Sequence, residues 1–119
     1  MPVKYIQYKG KKILFCDFSN MTGDEGIATL DEEAREMRTW TQKGLILCDY
    51  SNSKASTGFM SHAKKLGQEV FAPMTHKAAA VGFTSLQTIF LQAYNTFTKD
   101  KLVPFATEEE AKEWLIKED

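Results

Sequence analysis

Apolar residues along this chain change their period several times, and each change marks an element. Val3 to Tyr8 alternates in the manner of an edge strand. Lys9-Gly10-Lys11 follows as a short turn, so Lys12 to Asp17 returns as an antiparallel partner. Within it Ile13 to Cys16 is apolar without alternation, the pattern of a strand covered on both faces. Ile27, Leu30, Ala34 and Met37 then recur at helical spacing, which predicts a helix from about Asp24 to Thr41. Thr22 with Glu25 three residues on is a capping-box pattern at its start.

The same grammar continues to the end of the chain. Leu45 to Asp49 reads as a buried strand. Phe59, Ala63, Leu66 and Val70 form the stripe of a helix from about Thr57, which Pro73 is expected to stop. Ala78 to Phe83 is a small apolar strand, and Thr84 with Gln87 opens a helix to Thr98. Leu102 to Phe105 is a short last strand. Thr107 with Glu110 caps a final helix whose Ala111, Trp114 and Leu115 face the core. The order β-β-α-β-α-β-α-β-α with right-handed crossovers predicts one α/β domain over residues 1–119. Its sheet is mostly parallel and five-stranded, with an N-terminal β-hairpin and four helices.

One phrase is written twice. Cys16-Asp17-Phe18-Ser19-Asn20 and Cys48-Asp49-Tyr50-Ser51-Asn52 each follow an apolar run. Their spacing is close to one strand-helix unit, about 30 residues. Both copies therefore fall where a buried strand opens into the loop before a helix, the edge at which open α/β sheets place ligands.

Composition narrows the function. The chain of 119 residues carries 15 basic and 16 acidic side chains, for a net charge of −1. No basic surplus is present to neutralise phosphates, so nucleic acid is not an expected partner. Ala78 to Thr98 is uncharged and long enough to resemble a membrane span. Gly82 and its polar residues instead divide it into a strand and a helix, so no transmembrane segment is expected. The start lacks the apolar run of a secretory signal, and the two cysteines suit a cytoplasm with reduced thiols.

Candidate chemistry is sparse. Asp17 and Asp49 end neighbouring strands and form a candidate acidic loop site, able in principle to hold Mg²⁺ or share a proton. With Lys77 they suggest the alternative of a metal-dependent phosphate-handling or receiver-like protein. Turn chemistry explains the same residues better, the carboxylates accepting nearby backbone N–H groups. Cys16 and Cys48 lie in apolar runs and read as small hydrophobes rather than a redox pair. His62 and His76 have no ligand spacing with the cysteines, so no metal centre is expected. No nucleophile, base and orienting group can be assembled, so no catalytic residues, no enzyme activity and no cofactor are expected.

Two features point to binding. Ser56 or Thr57, at the entry to the second helix, offers a candidate phosphoacceptor beside its N-cap. The helix Ser85 to Thr98 has no charge at all. Leu86, Ile89, Ala93 and Phe97 form its expected core stripe, Phe90 widens that stripe, and Leu91 and Tyr94 fall off it. Phe90, Leu91, Tyr94 and Phe97 are thus the candidate ligand or partner surface, for an apolar molecule or a homodimer.

The element order and the stretch Leu45 to Met60 resemble the STAS fold of anti-sigma-factor antagonists. The whole chain resembles small bacterial STAS-like proteins related to the lipid-binding CRAL-TRIO domain. Lys77-Ala78-Ala79-Ala80-Val81-Gly82, Phe105 and the run Glu109 to Leu115 carry the likeness. Ala55-Ser56-Thr57-Gly58-Phe59 matches the antagonists' Asp-Ser-Ser-Gly-Leu, with Ser56 at the phosphoacceptor and Ala55 in place of the Asp. The resemblance implies a non-enzymatic regulatory or binding module for a protein partner or a small lipid-like ligand.

Overall fold

Five strands lie side by side in chain order: β1 (Val3–Tyr8), β2 (Lys11–Asp17), β3 (Gly44–Asp49), β4 (Thr75–Val81) and β5 (Leu102–Phe105). The computed structural model describes residues 2–118, apart from the side chains of residues 85 and 86. β1 runs antiparallel to β2, and every later pair is parallel. The parallel pairs need crossovers, and helices supply them. These are α1 (Gly23–Met37), α2 (Thr57–Leu66) and α4 (Ser85–Thr98), and α5 (Glu108–Ile116) closes the chain after β5. α2 runs on through a π-helical turn, Gly67–Phe71, into the single α turn α3 (Ala72–Met74).

The helices divide between the faces of the sheet. Leu14, Cys16, Ile46, Cys48, Ala78 and Ala80 turn to one face, under α1, α2 and α4. Ile13, Leu47, Ala79 and Val81 turn to the other, where α5 packs with Ala111 and Leu115. Period-two alternation sends neighbouring residues to opposite sides, so both faces of the central strands need apolar residues. That is why β2, β3 and β4 read as unbroken apolar runs. Lys77 is buried on the α5 face. Its ammonium donates to the carbonyls of Trp114 and Lys117 at 3.2 and 2.8 Å, tying down the C-terminal end of α5.

The capping boxes at Thr22 and Thr84 are both formed, and Thr107 caps α5 by accepting the Glu110 N–H. Three expectations need correction. α1 stops at Met37 rather than Thr41, because Thr39 and Trp40 turn their N–H groups back only three residues, to Glu36 and Met37, instead of four. Trp40 is then free to donate to the Tyr5 hydroxyl at 2.6 Å. β4 begins at Thr75 and ends at Val81, and Gly82 turns the chain toward α4 at a φ of 86°. Pro73 does not stop the second helix but sits in its last turn. The wider π turn lies directly before it, where Pro73 has no N–H to continue an α register.

α4 is also rotated from the expected orientation. Leu91 and Tyr94 point inward, at 5% and 8% exposure, while Ile89 and Phe97 of the expected core stripe are 63% and 51% exposed. The inward face runs Leu91, Tyr94, Thr98, and its polar tips are satisfied. Tyr94 donates to Asp100 at 2.7 Å, and Thr98 donates to the Tyr94 carbonyl at 2.8 Å. Counting apolar residues alone could not find a buried face that includes a tyrosine and a threonine.

Candidate functional site

The two copies of the repeated phrase stand in register. Cys16 pairs with Cys48 and Asp17 with Asp49 across β2 and β3. Each aspartate accepts the N–H of the serine two residues on, at 2.9 Å in both copies. Asn20 and Asn52 both take left-handed φ values, 60° and 55°, and their side-chain amides bond at 2.8 Å. Asparagine tolerates that backbone region better than most residues. The acidic pair thus performs turn chemistry at matching positions. Lys77 pairs with Leu45, four residues back along the strands from the level at which Asp49 meets Val81, so the receiver-like grouping of Asp17, Asp49 and Lys77 is not assembled.

Phe18 and Tyr50, also matched, stack at 4.8 Å between centroids, and Phe83 stacks on Tyr50 at 5.0 Å. Phe59 meets Phe18 edge-on at 6.0 Å. This aromatic row crosses three strand ends and forms one wall of a cavity. The cavity measures about 80 Å³ and lies between the sheet and α1, α2 and α4. Leu30, Ile46, Ala63, Phe71, Ala78 and Leu91 supply much of its apolar lining. Met60 and Phe90 stand on the two helices that flank it. α2 and α4 are pinned at their other ends, where a methyl group on Gly67 would collide with Thr98 and the Tyr94 hydroxyl. Gln87 bridges the loop after β3 by donating to the Ser53 carbonyl at 2.9 Å.

Polar groups also line this apolar space. Glu33 of α1 is buried at 4% exposure, and Asp100 is buried after α4. Both line the cavity, as do Cys48 and Tyr94. Burial, reinforced by the nearby Asp100 charge, pushes the Glu33 carboxyl up to about 8 against the pull of a hydrogen bond with Cys16. Burial raises Asp100 too, and the hydrogen bond from Tyr94 only partly offsets it. Desolvation holds the Cys16 thiol well above its ordinary value. At Cys48 the bond with Cys16 acts downward, but burial and the two carboxyls outweigh it. Near neutrality Glu33 and the two thiols therefore keep their protons in the isolated chain.

The residues singled out from sequence fall in three places. Phe90, Leu91 and Tyr94 line the cavity, whereas Phe97 points outward under the Lys64 ammonium, 5.3 Å from its ring centroid. Ser56 caps α2 by accepting the Phe59 N–H at 3.1 Å, and its hydroxyl packs against Gly23 at the start of α1. Thr57 is exposed beside it. Asp17 and Asp49 serve the turns. His62 pairs with Asp31 at 2.6 Å on the helix surface, and His76 is exposed. Glu33 and Asp100 were not visible from sequence. A signal for Glu33 existed, since it lies three residues past Leu30 and directly before Ala34 on the core side of α1. Asp100, in a loop, gave none.

Among the described residues no helix is long and apolar enough to cross a membrane. No family model matches the chain, and no curated protein matches it. Among solved structures the chain is similar to an uncharacterized protein of the DUF3478 family, with a SpoIIAA-like fold, from Shewanella loihica PV-4. The two share 16% sequence identity at a TM-score of 0.73, over 95% of this chain and 91% of that one. At that identity the likeness is one of fold: a five-stranded mixed sheet, mostly parallel, of the SpoIIAA-like type.

Proposed function

We propose that this domain is a non-catalytic binding module. Its ligand is a small, mostly apolar molecule held between the sheet and α1, α2 and α4. The observation that supports this most is the cavity itself, lined mainly by apolar side chains with a few polar ones, Glu33, Asp100, Ser53 and Gln87 among them. Ligand sites have this character, with a few placed polar groups fixing orientation in an apolar pocket. A space of about 80 Å³ exceeds what a single water needs. A longer chain enters by parting α2 and α4 at the end away from Gly67. The lipid-like ligand expected from the CRAL-TRIO resemblance fits the same lining.

The test is titration with a fluorescent apolar probe, cis-parinaric acid. Native mass spectrometry of protein purified under mild conditions would run beside it. The wild type is expected to bind one probe. Ala63→Phe, which fills the cavity, and Phe90→Glu, which places a charge at its flank, are expected to weaken binding by at least about tenfold, or 1.4 kcal/mol. Equal binding in folded Phe90→Glu and Ala63→Phe would remove the proposal.

A protein partner is the second reading, favoured by the position of Ser56. Its hydroxyl stands at the N-terminus of α2 and against the start of α1. A phosphate on Ser56 or Thr57 would sit at positive helix ends, adding about −1.5 to −2 charges to that surface. Mass spectrometry after incubation with cell extract and ATP tests this directly, and unmodified Ser56 and Thr57 under several growth conditions would exclude it.

A further inference from the structure

We propose that Cys16, Cys48 and Glu33 form a binding site for a thiophilic divalent cation of the Zn²⁺ type at the wall of the cavity. The two sulfurs and a Glu33 carboxyl oxygen lie within 4.8 Å of one another, and all three residues are buried. Ligands around tetrahedral zinc sit about 2.0–2.3 Å from the metal, so roughly 3.5 Å from each other. The ligand atoms would have to draw together by up to about 1.3 Å on binding.

The fold explains the convergence. Cys16 and Cys48 are register partners on adjacent parallel strands, so their side chains leave the same face of the sheet side by side. Glu33 descends onto them from α1, on a buried face that also holds Thr29, Leu30, Ala34 and Met37. A carboxyl on such a face works against stability unless something compensates it. Among the described residues, the groups that act on Glu33 are Asp100 and Cys16 and the one that acts on Asp100 is Tyr94, and none of these is basic. A divalent cation would offset most of the negative charge that Glu33 and the two thiols acquire on losing their protons.

The donor set selects the class of ion. Two thiolates with one carboxylate suit Zn²⁺ or Co²⁺, whereas Mg²⁺ and Ca²⁺ want oxygen ligands alone. On binding, both thiols and Glu33 release their protons to water, and the ion holds them deprotonated. Glu33 and Cys48 also line the cavity, so the fourth position opens toward it. Asp100, held by Tyr94 at 2.7 Å, lines the same space and would orient a water there. His62 and His76 take no part, which is why histidine spacing in the sequence pointed away from a metal. This site does not depend on the apolar ligand, and its test uses no apolar probe.

The experiment uses the full untagged chain, reduced and stripped of metal by a chelator, and titrated with Co²⁺. The expected result is one equivalent bound, with a thiolate-to-cobalt charge-transfer band that Zn²⁺ abolishes. Cys16→Ala with Cys48→Ala should lose the band while circular dichroism stays native. Glu33→Gln should weaken binding by more than about tenfold, the loss seen even for groups behind the ligands. If the double variant does not fold, the wild type decides alone through the charge-transfer band and a rise in melting temperature with Zn²⁺. Absence of the band in folded wild type overturns the site, as does its survival in the folded double variant.

Discussion

Glu33 is the residue through which pH acts most strongly on this molecule. It faces Cys16 and Cys48 from the sheet, Asp100 after α4, and the phenols of Tyr50 and Tyr94. In the fold it keeps its proton to about pH 8. In the unfolded chain it ionises near its ordinary value, about 4.3. Between those limits the unfolded state binds fewer protons, so stability falls as pH rises and levels off above the folded value. Asp100, also raised, adds in the same direction. The metal-free protein should lose on the order of a few kcal/mol between about pH 5 and about pH 8. Glu33→Gln should lose much less and be the more stable at the upper end. Urea unfolding across that range checks this, and equal slopes for the two proteins would contradict it. At this scale the sequence was readable where chemistry is local. The Asp17 and Asp49 turns and the Thr22 and Thr84 caps follow from neighbours two or three residues away. Glu33 and Asp100 matter through residues far away in the chain, and a local pattern does not carry that.

Elements show the same division. Strands announced themselves by unbroken apolar runs, and β2 and β3 pair where the repeat placed them. α4 was found with its limits but not its rotation. With no charge on any side, nothing in its sequence marked the solvent face, and the face that turns inward is the one with Leu91 and the Tyr94 to Asp100 bond. Two variants separate the faces. Ile89→Lys should change stability by no more than about 0.5 kcal/mol, as exposed substitutions do. Leu91→Ala should cost about 2 kcal/mol, toward the low end for a buried leucine because a cavity already adjoins it. Chemical denaturation of both decides it, and the reverse ranking would mean that α4 is turned the other way. α5 offers a further test, since Lys77 holds its last carbonyls. Lys77→Met keeps the packing stem but removes the ammonium, and should cost about 1–2 kcal/mol. Faster amide exchange confined to α5 would accompany the loss, and unchanged exchange there would argue against it.

For the molecule as a whole, the strand order β1-β2-β3-β4-β5 means that each crossover joins neighbours. Among the parallel pairs only the adjacency of β2 and β3 was readable beforehand, from the repeat; the right-handed rule decides the side on which each crossover runs. With the strand order it places the three crossing helices together over one face, leaving the other face to α5. The cavity was not readable, because it is the space left where three helices and an aromatic row fail to meet completely.

The sequential order leaves two open rims, and the chain treats them as hazards. β1 carries Lys4 and is bonded to β2 on one side only, while β5 is four residues long and contains Pro104. Short length, lysine and proline are the devices by which natural sheets refuse a further strand. Growth into fibrils by stacking strand on strand is therefore disfavoured at both ends. Pro104→Val should leave the fold intact but restore a donor to the β5 rim. Light scattering on prolonged incubation at high concentration should then rise above that of the wild type, and an equally clear solution would show that the rim is guarded by something other than Pro104.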